Sequence, residues 1–81
     1  MMAKTIAYVL ITCNVGKASA VLDQLEKVNN IKETSRVHGA YDVIVKMEAS
    51  SLVQVQDVVA DKIRTINDVR SVMSLPLKSY N

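Results

Sequence analysis

Gly39, Ala40, Tyr41 and Asp42 place a flexible backbone position, an aromatic ring and a carboxylate within four consecutive residues. The chemistry open to those types is recognition. Free N–H groups of a turn can hold a carboxylate, Asp42 can pair with an ammonium group, and Tyr41 can wall an apolar side chain. A small zwitterionic ligand would use all three. Val37-His38 leads in and Val43-Ile44-Val45 leads out, so two strands join through this turn at a sheet edge. Gly39 permits the positive φ that a tight turn requires. The segment lies near the middle of 81 residues, between two halves that look alike. That arrangement points to a ligand-sensing module.

The other reactive residue types offer less. His38 is the only histidine and stands four residues from Asp42. The two could pair and alter the imidazole charge near neutral pH, but a catalytic dyad also needs a nucleophile or a metal, and no candidate adjoins it. A surface or interface histidine is the simpler reading. Cys13, closing an apolar strand, reads as a small buried hydrophobe; a catalytic thiol needs basic surroundings and an acid–base partner. A single cysteine allows no internal disulfide and no Cys-rich metal site. No catalytic residue, metal or cofactor is expected. Asn14-Val15-Gly16-Lys17 precedes a helix, but one glycine falls far short of a phosphate-binding loop, so it reads as a strand-to-helix turn. Met47 and Met73 fit strand cores.

Net charge is +2, and the lysines and arginines are scattered along the chain. Nucleic-acid binders concentrate them on one face, and there is no Phe or Trp on which bases could stack. Direct DNA binding is therefore not expected. The start, Met-Met-Ala-Lys, lacks a secretory pattern. The longest apolar stretch, residues 6–11, is too short to cross a bilayer. One unpaired cysteine suits a reducing, cytoplasmic setting.

The elements that would position the hairpin follow from hydropathy period. Residues 5–12 are β-rich and apolar on both alternating faces, the pattern of a central strand. From 17 to 28, Ala18, Val21, Leu22, Leu25 and Val28 recur at helical spacing, and Asn29-Asn30 stops the helix. Residues 31–38 alternate as a half-exposed strand, with Ile31, Glu33, Ser35 and Val37 on one face. Residues 42–48 form the next strand. Ser51 and Gln54 match a capping box. The helix it opens runs to about residue 66, with Leu52, Val55, Val59, Ile63 and Ile66 as its buried stripe. Residues 69–75 are the last strand, where Pro76 limits further central pairing. Residues 78–81 read as a short tail.

The order βαββαβ predicts a single α+β domain over residues 1–81. It is a ferredoxin-like sandwich: a four-stranded antiparallel sheet with two helices on one face. The other face carries alternate residues of the first strand, apolar in either register, and such a face wants a partner. A dimer through the sheet is the simplest solution. A chain of this length buries only about 60–65% of its unfolded surface, so association would help it.

With these elements in place, Gly39-Ala40-Tyr41-Asp42 followed by Val43-Ile44-Val45-Lys46 resembles the effector-binding (RAM) domain of the Lrp/AsnC transcription regulators. The resemblance covers about residues 3–77. Full-length members carry an N-terminal helix-turn-helix domain, whereas this sequence begins almost at its first strand, like a stand-alone form. The resemblance implies an amino-acid effector bound between subunits. Carried over, it implies contacts at Gly39, Ala40, Tyr41 and Asp42, at Leu52, and at Leu75, Pro76 and Leu77. Pro76 departs from the pattern, since it has no N–H to offer a ligand. The resemblance further implies a homodimer, larger rings, and hetero-assembly with full-length relatives.

Two other functions fit the same topology. One is a dimeric αβ-barrel enzyme, for which the first strand offers mainly Tyr8 and Thr12. The other is a structural assembly domain that binds no ligand.

Overall fold

In a computed structural model, residues 4–77 are described. Strand β1 (Thr5–Cys13) is followed by helix α1 (Ala18–Leu25), strands β2 (Ile31–Arg36) and β3 (Val43–Ala49), helix α2 (Leu52–Val58) continued by a π-helical turn (Val59–Ile63), and strand β4 (Val69–Pro76). The four strands form one antiparallel sheet in the order β2-β3-β1-β4. Both helices cover one face, which gives the ferredoxin-like topology expected from the element order.

Period-two alternation divides the sheet. Ala7, Val9, Ile11 and Cys13 of β1, and Val43, Val45, Met47 and Ala49 of β3, are buried beneath the helices. They meet Ala18, Val21 and Leu25 of α1, and Val55, Val58, Val59 and Ile63 from the second helical segment. Ile6, Tyr8, Leu10 and Thr12 of β1 fall on the uncovered face, beside Ile44 of β3 and Met73, Leu75 and Leu77 at the β4 edge. Met73 is 47% exposed, so it is a surface residue of this chain and not part of the core, unlike Met47.

Several details depart from the sequence expectation. Helix α1 ends at Leu25 because its last turn tightens: Lys27 and Val28 donate to the carbonyls of Gln24 and Leu25, three residues back. Val28 still packs against the core. In β2 a bulge between Ile31 and Glu33 changes the face parity. Ile31 pairs with buried Met47, but beyond the bulge it is Thr34 and Arg36 that pair with buried Val45 and Val43. The second helix does not run on as α-helix to residue 66. The Arg64 N–H reaches back five residues to Val59, which widens the turn over Val59–Ile63; Val58 and Val59 are both buried in the core. Leu52, at the start of that helix, is 47% exposed and not part of a buried stripe. Its cap does form: Ser51 Oγ accepts from the Gln54 N–H at 3.1 Å. The Gln54 side chain reaches one residue further back than a capping box requires, accepting from the Ser50 N–H at 2.6 Å.

Pro76 lies inside β4, paired with Ala7. This is tolerated because β4 is an edge strand. The flanking Leu77 N–H donates to Ile6 at 2.8 Å, so the ring nitrogen of Pro76 faces away from β1, where no ladder bond is needed. The tail at residues 78–81 lies outside the described residues.

Candidate functional site

The hairpin turn is rigidly attached to the end of β1. Gly39 takes φ +125°, a conformation that glycine adopts far more readily than other residues. The Asp42 N–H donates to the Ile11 carbonyl at 2.9 Å, and the Asp42 carbonyl accepts from the Val37 N–H at 3.0 Å. Its carboxylate Oδ2 accepts from the Cys13 N–H at 2.7 Å. The carboxylate therefore spans from the hairpin to β1 and does not close its own turn. No bond joins it to His38, which is exposed. Tyr41 leans the other way, and its hydroxyl donates to Met73 Sδ at 3.7 Å, tying the hairpin to β4.

A cavity of about 300 Å³ opens beside this carboxylate. Cys13, Gly16, Ala18, Ser19, Arg36 and Asp42 line it. Gly16 sits at φ +77° in a turn closed by the Lys17 N–H on the Asn14 carbonyl at 3.0 Å. That turn is held to the start of β4, where the Asn14 N–H donates to the Asp68 carbonyl at 2.8 Å.

Burial pushes the Cys13 thiol above its ordinary value of 9.0. The carboxylates of Asp42 and Asp68 push the same way, and Arg36 opposes them. The thiol is thus protonated and inert at neutral pH. Alkylation by iodoacetamide at pH 8 should be slow in the native protein and fast in urea; equal rates would show that the thiol is open. A raised acidic pKa also sets the sign of the linkage. The contribution to stability is complete below the unfolded value near 9 and is lost as pH climbs through the folded one.

The eight residues implied by the resemblance fall at two ends of the sheet. Gly39, Ala40, Tyr41 and Asp42 cluster where β1 ends. Leu75, Pro76 and Leu77 lie beside Tyr8, Ala7 and Ile6, at the other end of β1. Leu52 follows β3 at that same end, where Ala49 pairs with Thr5. From Ile6 to Ile11 is five residues of strand, about 17 Å. One chain does not bring the two groups together. A hollow of about 350 Å³ near the end of β3 is bordered by the Lys4–Glu48 ion pair, at 3.2 Å, and by Gln54; Leu52 does not line it. Arg36 was missed in the sequence because the β2 bulge that turns it towards the covered side has no residue signature of its own. Among the described residues, no group of three or more His, Cys, Asp or Glu could hold a metal ion, and no helix is long and apolar enough to cross a membrane.

The sheet of one chain is open, with β2 and β4 at its edges.

Comparison with known proteins agrees with this geometry. Residues 6–79 match the model of the Lrp/AsnC ligand binding domain. No curated protein matches the chain. Among solved structures, FFRP-DM1 is 27% identical with a TM-score of 0.87, over 91% of this chain and 99% of that one. AsnC of E. coli shares the fold at 22% identity and a TM-score of 0.88, over 94% of this chain and 52% of its own. A transcriptional regulator from Neisseria meningitidis, solved as a complex with L-Met, shares it at 13% identity and a TM-score of 0.77. It is covered over 50% of its length, and this chain over 93%. The chain thus spans about half of each of these two regulators and nearly all of FFRP-DM1.

Proposed function

This chain belongs to the Lrp/AsnC ligand-binding domain family, and from that premise we propose that it is an amino-acid effector-binding and oligomerisation module. The family is one of ligand-binding, regulatory domains and not of catalysts. The proposed effector is a free amino acid, and the proposed output is a change in assembly that modulates transcription or amino-acid metabolism. The complex of the Neisseria regulator with L-Met supports that ligand class. The proposed contacts are the eight residues of the hairpin, Leu52 and the end of β4, in one domain spanning the chain. A single free cysteine suits the proposed cytoplasmic setting.

The observation that carries the reading is the division of those contacts between two ends of one sheet. A ligand that touches both groups must sit between copies, with the hairpin of one chain facing the Leu52 end of another. Binding would then favour whichever assembly completes the site, which is how a ligand shifts a population of states. The uncovered face supplies the first contact between copies. Tyr8, Met73, Leu75 and Leu77 are all exposed large apolar residues there. A homodimer through this face is proposed, with rings of dimers and hetero-assembly with full-length relatives as its extensions.

A thermal-shift screen against the standard amino acids at neutral pH tests the reading. Ligand at one hundred times its dissociation constant adds about 2.7 kcal/mol to native stability, which raises the melting temperature measurably. A shift with a restricted set of amino acids is expected. A flat response to all of them would leave an assembly domain without an amino-acid ligand.

A further inference from the structure

The cavity between the hairpin and the β1–α1 turn contains two opposite charges that do not neutralise each other. Asp42 is held by three hydrogen bonds, through its N–H, its carbonyl and Oδ2, which leaves Oδ1 as a fixed acceptor. Arg36 pairs in register with buried Val43, so its side chain leaves the sheet on the helix-covered side, beside the start of α1. Among the described residues the ion pairs within 4.0 Å are Lys4–Glu48 and Lys46–Glu33; neither Arg36 nor Asp42 is in one. The volume of about 300 Å³ lies at the lower end of the range for small-molecule sites.

We infer that this cavity holds the charged head of an α-amino acid within a single chain, with the ammonium on Asp42 and the carboxylate on Arg36. This rests on the amino-acid reading above and deepens it by adding Arg36 and the β1–α1 turn, which the resemblance does not mark. A ligand carrying both charges is the one the cavity suits. A simple carboxylic acid would meet the Asp42 carboxylate, and a simple amine would meet the guanidinium. Guanidinium fits a carboxylate with paired donors. The N–H groups in the first turn of α1 have no intrahelical acceptor and add to the positive lip. The charged head is then bound the same way for every amino acid. The side chain emerges towards Leu52 and Leu75 of a neighbouring copy, which is where selectivity would be set.

The test is titration calorimetry of wild type, Arg36→Gln and Asp42→Asn against each standard amino acid. The amide and the N-acetyl derivative of the tightest binder are included. Backbone amide shifts recorded by NMR locate the site. Arg36 is exposed, so its exchange leaves the core intact; in Asp42→Asn the side-chain carbonyl still accepts from the Cys13 N–H. The expected results are at least tenfold weaker binding in both variants, the same loss for both derivatives on wild type, and shifts at Gly16, Ala18 and Ser19. Unchanged affinity in Arg36→Gln, or shifts confined to the hairpin and β4, would overturn the cavity assignment while the sensor reading stands. No binding of any amino acid to wild type would overturn both.

Discussion

Replacing Ile11 with alanine should cost about 3–4 kcal/mol of folding stability, in the middle of the range for buried aliphatic truncations. Ile11 is fully buried on the central strand, with Val43 opposite it on one neighbour and Val72 on the other. Strands hold it on both sides, so the space left by the lost atoms cannot close by local collapse. Its carbonyl also receives the Asp42 N–H, so strain in β1 passes to the hairpin. A domain of 81 residues has a total stability of roughly 4–12 kcal/mol. The variant should therefore sit close to its folding limit. Urea denaturation measures the loss as a fall in midpoint at unchanged slope. A cost below about 1 kcal/mol would mean that this position is loosely packed.

Replacing Leu75 with glutamate should dissolve the proposed dimer while leaving the monomer folded. Leu75 is 45% exposed in the single chain, so a charge there meets water and costs the fold little. In a two-fold assembly the same change enters the interface twice. An unpaired carboxylate buried between two apolar faces costs about 3–5 kcal/mol, and 1.4 kcal/mol is a tenfold change in affinity. Association should weaken at least ~100-fold. Sedimentation should show the mass halved, while a matching Lys62→Glu change on the helical side leaves it unaltered. A dimer that survives Leu75→Glu would have to use another surface.

The parts of the fold most legible in the sequence were those with one dominant physical cause. Strand β1 is apolar on both alternating faces, and it lies between two strands. Ser51 marks the start of α2 because a hydroxyl placed there satisfies an otherwise free N–H. What stayed hidden depended on register. The bulge after Ile31 comes from pairing with β3, so plain alternation put Glu33 and Ser35 on the face that Thr34 and Arg36 occupy. Along the second helix Val58 is buried, while Leu52, which uniform helical spacing puts in the stripe, is half exposed. At the site, Gly39 was legible from its turn chemistry. The partner of Asp42 was not, because Cys13 is 29 residues away in the chain and only the folded sheet brings its N–H within reach. Met73 looked like core because β4 alternates, but composition alone does not show which face the helices leave bare.

Pro76 has a consequence for how this protein avoids its own aggregation. The outer edge of β4 is a row of backbone groups that a stray strand could pair with, and such pairing propagates into fibrils. Because the ring nitrogen points outward, an incoming strand finds one donor missing near the end of that row. The edge is blunted without disturbing the uncovered face beside it. Association is thereby turned away from edge-on growth, which has no natural end, and towards the proposed face-to-face contact, which closes on itself.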